Sequence, residues 1–306
     1  MSLQRLFPAL IFALVALAPA QAQGPTALEP IISHETRLLV FSPHPDDESL
    51  GAGGLIQRVL EAGGKVRVVF VTSGDGFPEG VEKENHITHP TAKDYRKYGV
   101  ERRVEAQKAT AVLGLKEHEV IFLGFPDGGL NYLRLKYRSH PFAYRSPFTR
   151  KNRPPVFECI IRNTDYTGQD LLREIGKVIA DFRPNLVVTT PAEDQHPDHY
   201  ATYYFVKEAL QKWNRKHPDL KPRMYTFLIH FGQWPIGQGS GAGARLNPPD
   251  GFPDKNRTWI PLPLTPEEMA KKRRAILEYH SQMLVMGRFM LSFARSNELW
   301  ITENSF

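Results

Sequence analysis

The 306-residue sequence contains a single cysteine, Cys159. One cysteine cannot form an intrachain disulfide, and it cannot build a thiolate zinc cluster. The fold must therefore depend on its hydrophobic core, and any metal site must use histidine and carboxylate ligands. After residue 22 the sequence also has no apolar run long enough to form a transmembrane helix.

The excess of basic over acidic residues is small. The formal net charge is +6, and loss of residues 1–22 would remove only Arg5 and leave +5. This surplus is compatible with an anionic substrate or surface, but it does not indicate a nucleic-acid-binding protein.

Residues 1–22 have the features of a secretory signal peptide. Arg5 is their only charged residue, residues 6–20 are apolar, and Ala20 and Ala22 place small side chains at the positions that signal peptidase reads. The alternatives are an uncleaved anchor or a core helix, although the apolar run is short for a bilayer. We expect an exported protein, periplasmic or secreted, with one mature domain at 23–306.

Short apolar segments alternate with amphipathic segments along the mature chain. Predicted strands cover 37–42, 65–72, 119–123, 185–190 and 224–230, and predicted helices cover 48–63, 101–113, 170–181, 199–212 and 266–280. The alternation predicts an α/β, Rossmann-like fold with a mainly parallel sheet, helices on both faces and an active site at the C-terminal ends of the strands. Two long segments, roughly 126–166 and 231–262, are expected to be irregular functional loops.

A cluster of chemically active residues directly follows the first predicted strand. The segment PHPDDE at 43–48 places His44 beside Asp46, Asp47 and Glu48. Carboxylates this close repel one another, and a divalent metal would relieve that repulsion. Imidazole nitrogen with carboxylate oxygen suits zinc. The alternative is a set of acidic residues that only stabilises a helix N-terminus.

A second cluster, HPDH at 196–199, directly follows the fourth predicted strand. The spacing of three between His196 and His199 lets both imidazoles point into one cleft at the start of a helix. An isolated histidine pair would usually be structural. Because both clusters follow strands of one parallel sheet, they together predict a catalytic metal site with an open coordination position.

The HPDDE and HPDH segments, in this order and after these strands, resemble the PIG-L/LmbE-like family of zinc-dependent N-acetylglucosamine deacetylases. The similarity covers about residues 37–303, and the segments at 72–76, 102–105 and 123–128 support it. The segments at 230–235, 279–282 and 295–299 are similar to an exported bacterial branch of that family.

The resemblance implies a role for each residue of the two segments. His44, Asp47 and His199 are expected to bind one Zn²⁺ per chain. Asp46 is expected to be the general base. His196, protonated, is expected to stabilise the oxyanion and donate a proton, with Asp198 orienting an imidazole.

Arg102 and Asp127 match family positions that line the sugar pocket, so the resemblance implies that both contact the substrate. Two other interpretations stay open. Arg102 and Glu105 have the spacing of a surface ion pair, and Asp127 begins an Asp-Gly-Gly segment that is typical of a turn.

The segment 130–157 carries seven cationic and no acidic side chains, with aromatic residues interleaved. It is either a solvated basic loop or a surface that grips an anionic glycan or glycolipid through aromatic stacking and arginine pairing.

The sequence thus predicts a zinc-dependent hydrolase that removes the N-acetyl group from an amino-sugar conjugate and releases acetate. One alternative is a zinc amidohydrolase that acts on a non-sugar acylamine. The other is a non-catalytic, zinc-stabilised glycan-binding protein, which would not require both an acid and a base.

Overall fold

The computed structural model describes residues 32–139, 143–238, 243–253 and 258–303. The predicted signal peptide at 1–22 lies outside the described residues, so export stays a prediction. None of the helices in these ranges is both long and apolar enough to cross a membrane.

One seven-stranded sheet runs through the described chain in the order β3-β2-β1-β4-β5-β7-β6. Strands β1 to β5 pair in parallel, and β7 is antiparallel to both β5 and β6. The predicted mainly parallel α/β sheet is therefore confirmed. The strands are β1 (Arg37–Ser42), β2 (Lys65–Thr72), β3 (Val120–Phe125), β4 (Leu186–Thr189), β5 (Arg223–Thr226), β6 (Trp259–Pro263) and β7 (Asn297–Thr302).

Helices cover both faces of the sheet, as predicted. They are α1 (Asp47–Glu61), α2 (Pro78–Asn85), α3 (Ala92–Leu113), α4 (Leu130–Leu135), α5 (Gly168–Phe182), α6 (Pro197–Lys216), α7 (Pro266–Leu277) and α8 (His280–Leu291). Leu38 and Val40 of β1 pack with α1, α3 and α7, whereas Leu39 and Phe41 pack with α5 and α6. Successive side chains of a strand point to opposite faces, so a strand covered on both faces is apolar throughout.

Some elements differ from the sequence-based expectation. Helix α3 begins at Ala92, nine residues before the predicted start at 101. The segment 126–166, expected to be irregular, contains α4, and the segment 231–262 reaches into β6. Strand β7 and helices α2 and α8 were not predicted, since each is short or lacks a clean period.

The two sequence clusters meet where the strand order reverses. Strands β1 and β4 are neighbours, and the chain proceeds from them toward opposite edges of the sheet. Ligand sites of open α/β sheets lie at such switch points, beyond the carboxyl ends of the strands. The segment 43–48 follows β1 and His196 follows β4, so the topology brings their side chains together.

Candidate active site

A cavity of about 220 Å³ opens at this switch point. It is smaller than the roughly 300–1,000 Å³ of typical ligand pockets, so it suits a small ligand group. Its lining combines a polar side with an apolar side. The polar side chains are His44, Asp46, Asp47, Arg102, Asp127, His196, His230 and Gln282, and the apolar ones include Leu50, Ile229, Met286 and Phe289.

The three expected metal ligands present a compact triangle of donor atoms. His44 Nδ1 lies 3.1 Å from His199 Nε2 and 3.3 Å from Asp47 Oδ2, and His199 Nε2 lies 3.2 Å from the same Asp47 oxygen. Zinc ligands at 2.0–2.1 Å in a tetrahedral site lie about 3.4 Å apart. The triangle therefore fits three ligands of a tetrahedral zinc ion whose fourth position remains open.

Each imidazole of the triangle has a carboxylate behind it. His199 Nδ1 lies 3.2 Å from Asp194 Oδ2, and His44 Nε2 lies 3.1 Å from Asp127 Oδ1. Metal-binding histidines almost always direct the second ring nitrogen to such a partner, which fixes the tautomer and the ring orientation. This arrangement is a second feature of the structure that fits a metal site.

The charges of the cluster also favour a cation. Burial opposes protonation of His199, but Asp194 and Asp47 outweigh it and raise its pKa to about 9. Burial likewise opposes ionisation of Asp47, but His199 and His44 hold its pKa well below the usual range. The carboxylates thus draw positive charge into the cluster, and a metal ion can replace the imidazole protons.

Two other groups of three potential ligands share His44, one with His196 and His199 and one with Asp127 and Asp198. Their other members have competing partners: His196 Nδ1 accepts the Asp198 N–H, and Asp127 and Asp198 accept backbone N–H groups of residues 76, 128 and 130. The Asp47 oxygen of the triangle also accepts a backbone N–H, that of His44 at 3.0 Å. Metal binding by His44, Asp47 and His199 therefore stays a prediction, which rests on the short distances within the triangle.

Asp46 lines the cavity in a strained backbone conformation, with φ of 135° at the residue before α1. Strain of this kind persists only where surrounding contacts hold it. Glu48 Oε2 accepts the Asp46 N–H at 3.1 Å, and Arg102 Nη2 lies 3.1 Å from Asp46 Oδ2. Burial raises the pKa of Asp46 to about 8 despite Arg102. A divalent cation nearby would oppose that shift and favour the ionised base.

His196 is the N-cap of α6, and its Nδ1 accepts the Asp198 N–H at 3.2 Å. Burial, together with the imidazoles of His44 and His199, lowers the pKa of His196 to about 2. This shift favours the neutral ring in the absence of a metal, and the protonated His196 that the resemblance implies stays a prediction. Because Nδ1 is an acceptor, the proton of the neutral ring lies on Nε2, which is the donor available for a substrate oxygen.

The Asp198 carboxylate faces His44, with Oδ2 at 3.4 Å from Nε2, and it accepts the N–H groups of Gly128 and Leu130. If Asp198 orients an imidazole, as the resemblance implies, the contact points to that of His44. The carboxylate also ties the loop after β3 to the start of α6.

Arg102 is buried, so the alternative of a surface ion pair with Glu105 is wrong. Its guanidinium donates to Gly74 O at 3.0 Å and to Pro45 O at 2.6 Å, while Glu105 accepts from Ser281. Gly74 has φ of 64°, and a Cβ there would overlap the guanidinium, so this close approach requires glycine. Arg102 lines the cavity mainly as a support for Asp46.

The alternative that Asp127 only forms a turn is also wrong. Besides its contact with His44, its Oδ2 accepts the Gly76 N–H at 2.7 Å. Both Asp127 and Arg102 line the cavity, so substrate contact by either stays a prediction.

Asp194 was missed by the sequence reasoning. Its carboxylate is buried against His199 and also accepts the N–H groups of His196, Ile229 and His230. The signal that could have found it is its place after β4, five residues before a predicted histidine ligand, where a supporting carboxylate is expected.

Replacement of Asp194 tests its support of the metal site. We expect Asp194→Asn to weaken metal binding by about 10- to 100-fold, because the second nitrogen of His199 loses its anionic partner. Competition with a chelator measures the affinity, and thermal unfolding reports the folded fraction. Asp219→Asn, at an exposed position, is the matched control. A folded Asp194→Asn protein with unchanged metal affinity would contradict this role.

The basic segment 130–157 is partly neutralised within the chain. Arg138 pairs with Glu208 at 2.6 Å, and Arg153 pairs with Asp165 at 2.9 Å. Over the described residues, Arg134 and Lys136 have no carboxylate partner. The segment is therefore neither uniformly solvated nor uniformly free to bind an anion.

Comparison with known proteins shows the family and the fold of the chain. The family model PIG-L, described as GlcNAc-PI de-N-acetylase, matches residues 39–210. A 1D-myo-inositol 2-acetamido-2-deoxy-alpha-D-glucopyranoside deacetylase of Kineococcus radiotolerans is 29% identical over 176 residues, which are 57% of this chain and 44% of that protein. The chain spans about half of the length of the curated relatives it matches.

Two solved structures share the fold. A deacetylase triple mutant from the teicoplanin biosynthetic pathway superposes with a TM-score of 0.55 at 18% identity, over 87% of this chain and 97% of that one. The 4-carboxy-2-hydroxymuconate hydratase of Pseudomonas putida superposes with a TM-score of 0.51 at 20% identity, over 84% and 82%. Since the fold serves different reactions, the side chains of the cavity must decide the chemistry.

Proposed function

Because this chain belongs to the PIG-L family, we propose that it is a zinc-dependent deacetylase that hydrolyses the N-acetyl group of an N-acetylglucosamine-type conjugate. The observation that carries the proposal is the triangle of His44, Asp47 and His199 donor atoms, together with Asp46 and His196, which line the same cavity as His44 and Asp47. A purely structural metal site would not need a base and a hydrogen-bond donor at its open side.

Each residue of the site has a separate role in amide hydrolysis. When bound, zinc supplies Lewis-acid chemistry, polarising a carbonyl and lowering the pKa of water. Asp46 accepts the proton of the attacking water, with Arg102 holding its carboxylate in place. The neutral His196 donates from Nε2 to the carbonyl oxygen as negative charge develops there. Asp46 then returns its proton to the leaving amine, which gives acetate and a free amino sugar.

The shape of the cavity supports a small acylated sugar. The apolar side chains of Leu50 and Ile229 suit the acetyl methyl group, which is the only apolar substituent of an N-acetylhexosamine. Arg102 and Asp127 line the polar side, where sugar hydroxyls need partners. The relatives named for acetamido-glucopyranoside deacetylation support the same substrate class.

Export of the enzyme to the periplasm or medium belongs to the proposal as well, on the basis of residues 1–22. The mass of the chain recovered from its host tests it, because retention of residues 1–22 would show that the segment is not a cleaved signal peptide.

An acetate-release assay tests the function. We expect zinc-loaded protein to release acetate from N-acetylglucosamine conjugates with a kcat/KM well above that for N-acetylated peptides. An acetylated peptide lacks the sugar hydroxyls, so it would leave the polar side chains of the cavity without partners. Equal or higher activity on acetylated peptides would favour the amidohydrolase alternative. Sugar binding without acetate release by zinc-loaded protein would favour the glycan-binding alternative.

A further inference from the structure

Aromatic rings are exposed on α4 and α6, the two helices that begin at the active site. Tyr132 on α4 is 54% exposed and Tyr204 on α6 is 42% exposed. Asp198, at the start of α6, accepts the Leu130 N–H at the start of α4, and His196 caps α6. The surface formed by Tyr132, Arg134 and Tyr204, here called the aromatic platform, therefore lies on two helices whose N-terminal ends meet beside the cavity.

The ring of Tyr132 is held in a fixed orientation. It stacks on Tyr144 with a centroid distance of 5.6 Å and an interplanar angle of 11°. Tyr144 is buried, meets Tyr137 edge to face, and packs against Gly129, where a Cβ would collide with its ring. One face of Tyr132 is thus covered by a buried ring while more than half of the residue remains exposed. A ligand that stacks on it would lose little entropy in ordering the protein.

Arg134 adds a charged donor to this surface. Its guanidinium lies 4.6 Å above the Tyr204 ring, and its Nε donates to Asn131 Oδ1 at 3.2 Å. Arg134 has no carboxylate partner within the described ranges. Its remaining N–H groups are available to hydroxyl or carboxylate oxygens.

We propose that the aromatic platform binds a second sugar ring of an oligosaccharide whose N-acetylated unit occupies the cavity, an inference that rests on the proposed function. The cavity of about 220 Å³ accommodates one sugar unit, so further units must lie outside it. The C–H face of a pyranose stacks on Tyr132, and Arg134 donates to its hydroxyl or carboxylate groups.

A lipid surface is a less suitable occupant. Leu135, 66% exposed, is the aliphatic side chain that α4 leaves in solvent, and the neighbouring Leu130 and Leu133 are buried. Binding to a membrane interface scales with the apolar area that can be inserted, and two tyrosines with one leucine provide little. A fixed, half-covered aromatic ring is better suited to a flat polar ring.

The kinetics of chito-oligosaccharide deacetylation test the proposal, with N-acetylglucosamine and N,N′-diacetylchitobiose as substrates of the zinc-loaded protein. We expect Tyr132→Ala to raise KM for the disaccharide by about 3- to 10-fold, the range expected for one lost stacking contact, and to leave the monosaccharide unchanged. Tyr132→Phe keeps the ring and should behave as the wild type. Phe157→Ala removes a side chain that is 73% exposed outside the platform, and it should change neither substrate.

Binding of triacetylchitotriose, measured by calorimetry, tests the platform without turnover. Loss of affinity for triacetylchitotriose in Tyr132→Ala would support the platform even if the protein releases no acetate. The absence of acetate release would overturn only the proposed function. Equal effects on the monosaccharide and the disaccharide, or no effect on either, would overturn the platform. The platform would also be overturned if Tyr132→Ala lost binding to phosphatidylglycerol vesicles but kept the same preference for the disaccharide over the monosaccharide.

Discussion

Asp46→Asn should lower kcat for acetate release by about 10²- to 10⁴-fold, the usual contribution of a general base. Asparagine has nearly the same shape as aspartate, so the loop before α1 should keep its conformation, including the positive φ of 135° at this position. Its amide oxygen can still accept from Arg102, which now holds Asp46 at 3.1 Å. What the variant loses is the ability to take up a proton.

The matched control for this experiment is the adjacent aspartate. Asp47→Asn should weaken zinc binding, because Asp47 Oδ2 lies 3.2–3.3 Å from both imidazole donor atoms. Excess zinc should then restore part of its activity. Zinc content and kcat, measured for both variants, separate the two roles. Near-normal kcat in Asp46→Asn, with full zinc but no activity in Asp47→Asn, would show that the roles are reversed.

His199→Ala should remove most of the zinc, and with it the activity. Its Nε2 forms one corner of the donor triangle, and two remaining ligands cannot hold the ion in a tetrahedral site. The loss should exceed the roughly 10- to 100-fold expected for the supporting carboxylate Asp194. Metal analysis after gel filtration measures the zinc content of the variant.

His89→Ala, at an exposed histidine, is the control for adventitious zinc on the surface and should keep full metal content. Because His199 is fully buried, thermal unfolding must show that His199→Ala is folded. If it is not, Asp47→Asn provides the isosteric test of the same site. Stoichiometric zinc in a His44→Ala/His199→Ala double variant would refute the ligand assignment.

The sequence predicts the centre of the fold well because β1 to β5 are short apolar runs covered by helices on both sides. The antiparallel edge was harder to predict. Strand β6 contains Pro261 and Pro263, and proline in a sequence normally argues against a strand, although an edge strand tolerates it. Helix α8 carries a non-helical residue, Met286, that interrupts its period. Helix α4 has six residues, too few to show a helical repeat.

The side chains of the site were predictable where they follow strand ends, because parallel strands deliver their carboxyl ends to one edge of the sheet. The residues that contact and support these side chains could not be predicted from the sequence. The burial of Arg102 against Asp46 depends on the approach of α3 to Gly74, which no local pattern encodes. The lowered pKa of His196 likewise depends on burial and on the imidazole of His44, which lies far away in sequence. The stack of Tyr132 on Tyr144 arises only when the loop after α4 folds back.

Titration of the metal-free protein with zinc, followed by acetate release from an N-acetylglucosamine conjugate, tests the central claim most directly. The proposed site predicts no activity without metal, a linear rise on addition of zinc and a plateau at about one equivalent per chain, since one donor triangle serves one ion. Asp46→Asn should bind the same equivalent and show a kcat that is about 10²- to 10⁴-fold lower. Full acetate release by protein shown to be metal-free, or by zinc-loaded Asp46→Asn, would contradict the claim.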